Sequence, residues 1–234
     1  MEHRAMAMNV PGQSLSNVPL FNGLSSDALD DLARASLSRA YHDGHILCSE
    51  GDPGEMLYVL EAGEVRVSRI TSDGHEVVFA VVEAPAVLGE LSLLDGAPRA
   101  ATVTAQGPIR VRLVPRGAFL ALMEQQPAML QAILRRLADM LRQTNQLHVD
   151  ALSLDVPGRL AKWLLQRAER HGSQRPEGIS FPLGRTQSEL AAELGTTRST
   201  LNRALSGFAS LGLIDVDGEK VVVRDREGLA EYTE

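Results

Sequence analysis

Residues 89–103 read GELSLLDGAPRAATV, a run whose residue types suit an anion and a hydroxyl side by side. Gly89 has no Cβ, so the backbone there can come close to a ligand. Glu90 to Leu94 can form a short helix whose unpaired N–H groups and positive dipole end favour an anion. Arg99 adds a planar fork of donors suited to phosphate oxygens. Glu90 has no role beside an anion unless it accepts from a neutral hydroxyl, such as a ribose 2′-OH. The guest with both features is a phosphate carrying a ribose.

A second group of residues offers a different chemistry. Thr186-Gln187-Ser188-Glu189 is a capping box, with Thr at the cap and Glu three residues on. Leu190, Ala191 and Leu194 make the apolar side of a first helix, and Gly195 supplies a turn. Thr197 can cap a second helix on which Leu201, Ala204, Leu205 and Phe208 face inward. Arg198, Ser199, Asn202 and Arg203 then fall on the opposite side, at spacings of one and four, and would enter a DNA major groove. Each bidentate Arg–guanine contact contributes roughly 1–3 kcal/mol of discrimination. Asp217-Gly218, between Ile214–Val216 and Val221–Val223, reads as a tight hairpin and completes a winged helix. The alternative is a helical pair used for protein contacts.

Both groups need elements to hold them. Ser25 caps a short amphipathic helix bearing Ala28, Leu29, Leu32 and Ala33. From about Leu37 to Val114, short apolar runs alternate with Gly, Asp and Pro: His45–Cys48, Met56–Leu60, Glu64–Ile70, Val77–Val82, Thr102–Ala105 and Ile109–Val114. Turn signals stand at 50–54, Ala62-Gly63 and Ser72-Asp73-Gly74. Closely spaced strands of this kind predict an antiparallel barrel or jelly roll. Gly117–Glu124 predicts a short helix ending near Pro127.

Ala128 to about Leu152 contains neither Pro nor Gly. Leu130, Ile133, Leu137, Met140, Thr144, Leu147 and Ala151 recur there at alternating steps of three and four, the repeat of a coiled-coil seam. This predicts a dimer helix; the alternative is a helix lying on the strands of its own chain. Thr144 and Asn145 would bring a hydroxyl and an amide to the place where two helices meet. Asp155-Val156-Pro157-Gly158 marks a boundary, Asp155 being a good N-cap and Pro157 tolerable in a first turn.

The net charge of −7 argues at first against nucleic acid, but it is unevenly shared. Residues 1–155 carry 12 Lys/Arg and 19 Asp/Glu, whereas residues 156–234 carry 11 of each. No acid lies between Glu193 and Asp215, so a basic surface remains open to the second part. One cysteine, Cys48, excludes an internal disulfide framework and fits a reducing cytoplasm. No apolar stretch approaches the ~18 residues of a membrane span, and the start lacks the apolar core of a signal peptide. His42 and His45 lie near Cys48, yet no second ligand pair is apparent, so no metal is expected. A single Cys cannot hold an iron–sulphur cluster, and nothing recommends a particular His for haem. No nucleophile–base signature or Walker loop is visible. Neither an enzyme nor a cofactor is expected.

The run 89–103 resembles the phosphate-binding cassette of cyclic-nucleotide-binding domains, and about residues 20–230 resemble the CRP/FNR family of bacterial transcription regulators. The resemblance implies an α+β fold: an N-terminal antiparallel β-barrel of jelly-roll type, a long dimerisation helix and a C-terminal winged helix-turn-helix. The implied divisions are a flexible tail (1–18), the nucleotide domain (19–126), the dimerisation helix and hinge (127–154) and the DNA-binding domain (155–234). By resemblance Glu90 holds the ribose hydroxyl, while Arg99 and the backbone at Gly89, Leu91 and Ala100 hold the cyclic phosphate. Thr144 and Asn145 match the adenine-reading positions, Asn145 replacing a serine of that pattern. Asp155 matches the hinge aspartate. Arg198 and Arg203 match two base-reading arginines, with Ser199 where a glutamate is usual. Thr186, Gln187, Ser188 and Thr197 would hold phosphates and set the register.

The expected protein is a cytoplasmic homodimer controlled by a cyclic nucleotide and binding a roughly palindromic duplex, with RNA polymerase a candidate partner and no membrane. Cyclic AMP is favoured because Ala100 lacks the hydroxyl that marks a guanine preference and because Thr144 is present. The alternatives are another effector, cyclic di-GMP or none, with the same DNA role, and a nucleotide-controlled regulatory subunit acting by protein contact.

Overall fold

The computed structural model describes residues 15–72, 74, 76–218 and 220–233. They divide into two compact units, one ending at Met140 and one running from Leu141. The tail expected over residues 1–18 lies mostly outside the described residues; of its last four, Leu15 and Val18 are buried in a core.

The first unit opens with α1 (Ser26–Arg34), capped as expected by the Ser25 hydroxyl, which accepts from Ala28 N at 3.3 Å. Strands β1 (Leu37–Tyr41), β2 (Ile46–Cys48), β3 (Met56–Ile70), β4 (Glu76–Glu83) and β5 (Ala86–Leu88) follow. Next come α2 (Glu90–Asp95), β6 (Thr102–Pro115), α3 (Arg116–Gln125) and α4 (Pro127–Ser153). The sheet is antiparallel, in the order β1-β6-β3-β4, with β2 on β6 and β5 on β3. No ladder joins β4 back to β1 among the described residues.

Four of the expected strands are in fact two. Met56–Leu60 and Glu64–Ile70 are one continuous β3, and Thr102–Ala105 and Ile109–Val114 are one β6. The Ala62-Gly63 signal, read as a turn, is a register shift within β3. Gly63 has φ +83°, and a Cβ there would meet Pro108 O at 2.7 Å, so the two long strands bend together at this point. Asp73, of the next turn signal, lies outside the described residues.

Alternation along β3 serves two cores at once. Leu57 and Val59 face an outer core with Val87, Val114, Leu29, Leu32, Phe119, Met129 and Ile133. Tyr58, Leu60 and Val65 face an inner core with Cys48, Leu88, Val103, Ala105 and Val111. Helices on one face and an apolar interior on the other hold the sheet from both sides.

The first turns of α4 correct the seam expected from sequence. Ile133 is 3% exposed and packs into the outer core with Met129, and Leu137 leans on it. There the helix does lie on its own chain. Leu130, Leu134 and Leu141 are exposed instead, and with Leu137 and Thr144 they recur at steps of four and three.

The second unit contains α5 (Val156–His171), β7 (Ser173–Arg175), β8 (Gly178–Pro182), α6 (Gln187–Glu193), α7 (Arg198–Ser210), β9 (Ile214–Asp217), β10 (Lys220–Val223) and α8 (Arg226–Ala230). The expected wing is present as β9 and β10, paired Asp217 with Lys220. Two strands not foreseen extend it to an antiparallel sheet of order β7-β8-β10-β9. Leu160, Leu164, Phe181, Leu190, Leu201, Leu205, Phe208, Ile214 and Val221 form one core that fixes β8, α6, α7, β9 and β10 to α5.

Candidate functional site

Gly89 caps α2 with φ +80°, a conformation that L side chains rarely adopt. A second constraint acts at the same atom, because a Cβ at Gly89 would sit 2.2 Å from Arg99 Nη1. The group lying against this glycine is therefore the Arg99 guanidinium. Arg99 Nη1 donates to Gly89 O at 2.8 Å and Nη2 donates to Met56 O. Its carbon lies 5.0 Å from the centroid of the Tyr58 ring, close enough for a cation–π attraction. The backbone of Arg99 is fixed as well, its N–H to Asp52 O at 2.8 Å and its carbonyl to Gly51 N at 2.9 Å.

Arg99 is 4% exposed, and its Nε meets no acceptor among the described residues. Withdrawing a charged donor from water without a partner is costly. A phosphate oxygen could satisfy that donor once the guanidinium is uncovered from the Gly89 and Met56 carbonyls it now holds. The residues thus fit an anionic guest.

Glu90 is also buried, at 4% exposed, and Arg136 of α4 answers it. Arg136 Nε donates to Glu90 Oε1 at 2.5 Å, and Nη2 donates to Val87 O at 2.7 Å. Sequence reading missed Arg136. Its signal was the spacing from Ile133: three residues on, it shares the inward side of α4, and a seam that turned Ile133 outward concealed it. Tyr58 was missed too. Burial pushes the Tyr58 phenol above its ordinary value, with Cys48 adding to the rise and Arg99 opposing it. The phenol stays neutral and donates to Leu47 O at 3.0 Å. Burial likewise raises the Cys48 thiol, against the opposing charge of Arg99.

Gly89, Glu90, Leu91, Arg99 and Ala100 thus come together in the first unit, with Leu91 and Ala100 exposed. Thr144 and Asn145 are exposed on α4 and belong to the second unit. A cavity of 260 Å³ is lined by Gly54, Ser92, Gly96, Pro98 and Arg116, and neither Glu90 nor Arg99 lines it. His42 and His45 meet edge to face with centroids 5.8 Å apart. Among the described residues no cluster of His, Cys, Asp or Glu could hold a metal ion.

In the second unit Asp155 Oδ1 accepts from Gly158 N at 2.9 Å, the N-cap geometry expected for α5. The capping box of α6 is complete: Thr186 Oγ1 accepts from Glu189 N at 3.2 Å, and Glu189 Oε2 accepts from Thr186 N at 2.8 Å. Thr197 caps α7, accepting from Thr200 N at 3.3 Å. Arg198, Ser199 and Arg203 are exposed and Asn202 half-buried, while Leu201, Leu205 and Phe208 face inward. Arg203 Nη2 donates to Thr200 Oγ1 at 3.3 Å, a long bond that a base edge could replace. Gln187 is half-buried and Ser188 exposed at the start of α6.

A polar group missed from sequence braces α6 against α5. Trp163 Nε1 donates to Glu193 Oε1 at 3.1 Å, Arg185 pairs with Glu193 Oε2, and the Arg185 guanidinium lies 5.3 Å over the Trp163 ring. No helix among the described residues is long and apolar enough to cross a membrane.

Residues 38–126 match the family model of the cyclic nucleotide-binding domain, and residues 158–232 match that of the Crp-like helix-turn-helix domain. A CRP-like cAMP-activated global transcriptional regulator of Mycobacterium tuberculosis is 34% identical over 216 residues, 92% of this chain and 96% of that one. A cyclic AMP receptor protein of Thermus thermophilus is 30% identical over 213 residues, 91% of this chain and 95% of that one. Among solved structures, the c-di-GMP-responsive global regulator of Xanthomonas campestris superposes with a TM-score of 0.74 at 21% identity, over 85% of this chain and 99% of that one.

Proposed function

We propose, from the premise that this chain belongs to the CRP-like cyclic-nucleotide-binding transcription regulators of the CRP/FNR family, that it is a homodimer whose grip on operator DNA is controlled by cyclic AMP. The observation that carries the reading is the pairing of two buried charges around Gly89. Arg99 holds an unsatisfied donor there, and Glu90 holds a carboxylate, 4% exposed, that a ribose hydroxyl could address. Arg99 with the backbone at Gly89, Leu91 and Ala100 would clasp the cyclic phosphate. Arg136 would keep Glu90 oriented toward the hydroxyl.

Cyclic AMP is preferred to other effectors on three supports. Ala100 offers no hydroxyl to a guanine, Thr144 and Asn145 stand exposed for an adenine, and the mycobacterial relative at 34% identity is named for activation by cyclic AMP. The exposed row Leu130, Leu134, Leu141 supports pairing of α4 with a second copy, with Thr144 as the polar member of the seam. Arg198 and Arg203 would read bases, Ser199 and Asn202 would flank them, and Thr186, Gln187, Ser188 and Thr197 would hold phosphates. The functional divisions are the nucleotide domain to residue 126, the helix and hinge to 154, and the DNA-binding domain beyond, all acting in the cytoplasm. Control is a population shift: ligand raises DNA affinity only so far as it binds the DNA-competent state more tightly.

Arg99→Gln is the direct test. Losing a charge-assisted contact of about 1.5–3 kcal/mol should weaken cyclic AMP binding roughly tenfold to a hundredfold in titration calorimetry. The nucleotide-dependent gain in operator binding should disappear with it. An operator affinity that still rises with nucleotide would refute the assigned site. Parallel titrations with cyclic GMP and cyclic di-GMP decide the effector.

A further inference from the structure

Two helix ends in the second unit converge on one side chain. Arg159, in the first turn of α5, donates from Nη1 to Leu154 O at 2.7 Å and from Nε to Leu194 O at 3.0 Å. Leu154 directly follows α4, and its N–H still bonds Asp150 O at 3.0 Å, so its carbonyl belongs to the C-terminal end of that helix. Leu194 is the C-cap of α6, with its N–H on Leu190 O at 3.0 Å.

A helix C-terminus presents carbonyls without intrahelical partners and a partial negative charge, and both favour a cation. A guanidinium has separately directed donors and can serve two such ends in one fixed plane. An ammonium is a point donor on a flexible stem and cannot hold both at the same angle. Lys162, three residues on and therefore on the same side of α5, grips α4 alone through Asp150 Oδ1 at 2.7 Å. Between these two side chains, Arg159 is the one that also reaches the helix-turn-helix.

We propose that Arg159 is a positioning residue that couples the end of α4 to α6, and through α6 to the recognition helix α7. The α6–α7 turn is itself tied by Thr196 N on Ala191 O at 2.9 Å, so a displaced α6 carries α7 with it. The regulatory part of this proposal rests on the reading that nucleotide raises operator affinity; the mechanical link does not.

The test uses the full chain and separates those parts. In amide hydrogen exchange, Asp155→Ala removes the cap of α5 and loosens the hinge. With Arg159 present, exchange at residues 190–196 should quicken several-fold, because the lost cap loosens the start of α5. In an Arg159→Gln background the same Asp155→Ala change should add nothing at 190–196. Equal acceleration in both backgrounds, or none with Arg159 in place, overturns the link. Lys162→Met should loosen the end of α4 without touching 190–196.

For regulation, Arg159→Lys and Arg159→Gln should keep cyclic AMP affinity within about threefold, with the far-ultraviolet circular dichroism of the parent. The ratio of operator affinities with and without nucleotide should fall about tenfold or more toward unity. An undiminished ratio in both variants overturns the coupling role. If the parent protein itself shows no nucleotide-dependent gain, the reading of the nucleotide site fails, and the exchange experiment alone decides the link.

Discussion

At Gly89 two independent constraints fall on one residue. The positive φ admits few L side chains, and the nearest Arg99 nitrogen would lie 2.2 Å from an added Cβ. Gly89→Ala should therefore drive Arg99 from the Gly89 carbonyl as well as strain the turn. The expected outcome is at least a tenfold loss of cyclic nucleotide affinity by calorimetry and a destabilisation of about 1–3 kcal/mol by denaturant unfolding. Wild-type affinity in that variant would mean that Arg99 needs no such support. Residue types around the cassette were legible in the sequence because glycine, carboxylate and guanidinium each have few uses in so short a run. Arg136 was not legible: an arginine on a long helix is usually solvated, and only the inward turn of Ile133 shows that this one faces Glu90.

Helix α4 is the element on which sequence and structure diverge most usefully. A repeat of threes and fours marks an apolar stripe but does not say which of two adjacent stripes faces the chain's own strands. Here Met129 and Ile133 take the inner stripe, and Leu130, Leu134 and Leu141 the outer one. Two substitutions separate the roles. Ile133→Ala should cost about 2–4 kcal/mol of stability in the first unit, measured by denaturant unfolding, by leaving a cavity in a packed core. Leu141→Glu, at a position 62% exposed, should leave the unfolding of the isolated chain nearly unchanged. It should nevertheless shift the sedimentation equilibrium from dimer to monomer, because facing carboxylates repel at a seam. A dimer undisturbed by Leu141→Glu would place the interface elsewhere. Strand limits in β3 and β6 were misread for a related reason: Gly63 signals a break in periodicity, and a bulge and a turn give the same local signal.

For the whole molecule, the uneven charge was the most informative global quantity. The excess of acids over bases lies before residue 156, and the gap in acids between Glu193 and Asp215 leaves Arg198 and Arg203 without a neighbouring carboxylate in sequence. A dimer presenting two α7 helices should require half-sites about one helical turn, ~34 Å, apart. Inserting roughly half a turn between the half-sites should weaken binding in a mobility-shift titration to the level of a single half-site, and binding should return after a full turn. Indifference to the insertion would rule out paired readers. Strands β7 and β8 escaped the sequence because SQR and GISFP are too short to show a period; β8 is fixed by pairing with β10, and β7 by pairing with β8. The brace around Trp163 has a practical consequence of another kind. This is the chain's one tryptophan, its indole tied to Glu193 beneath the Arg185 guanidinium. Excited near 295 nm, roughly where tyrosine no longer absorbs, the unlabelled protein emits from a single lamp beside the first helix of its DNA reader. Any ligand bound in the other unit that changes this colour or brightness has been felt across the chain.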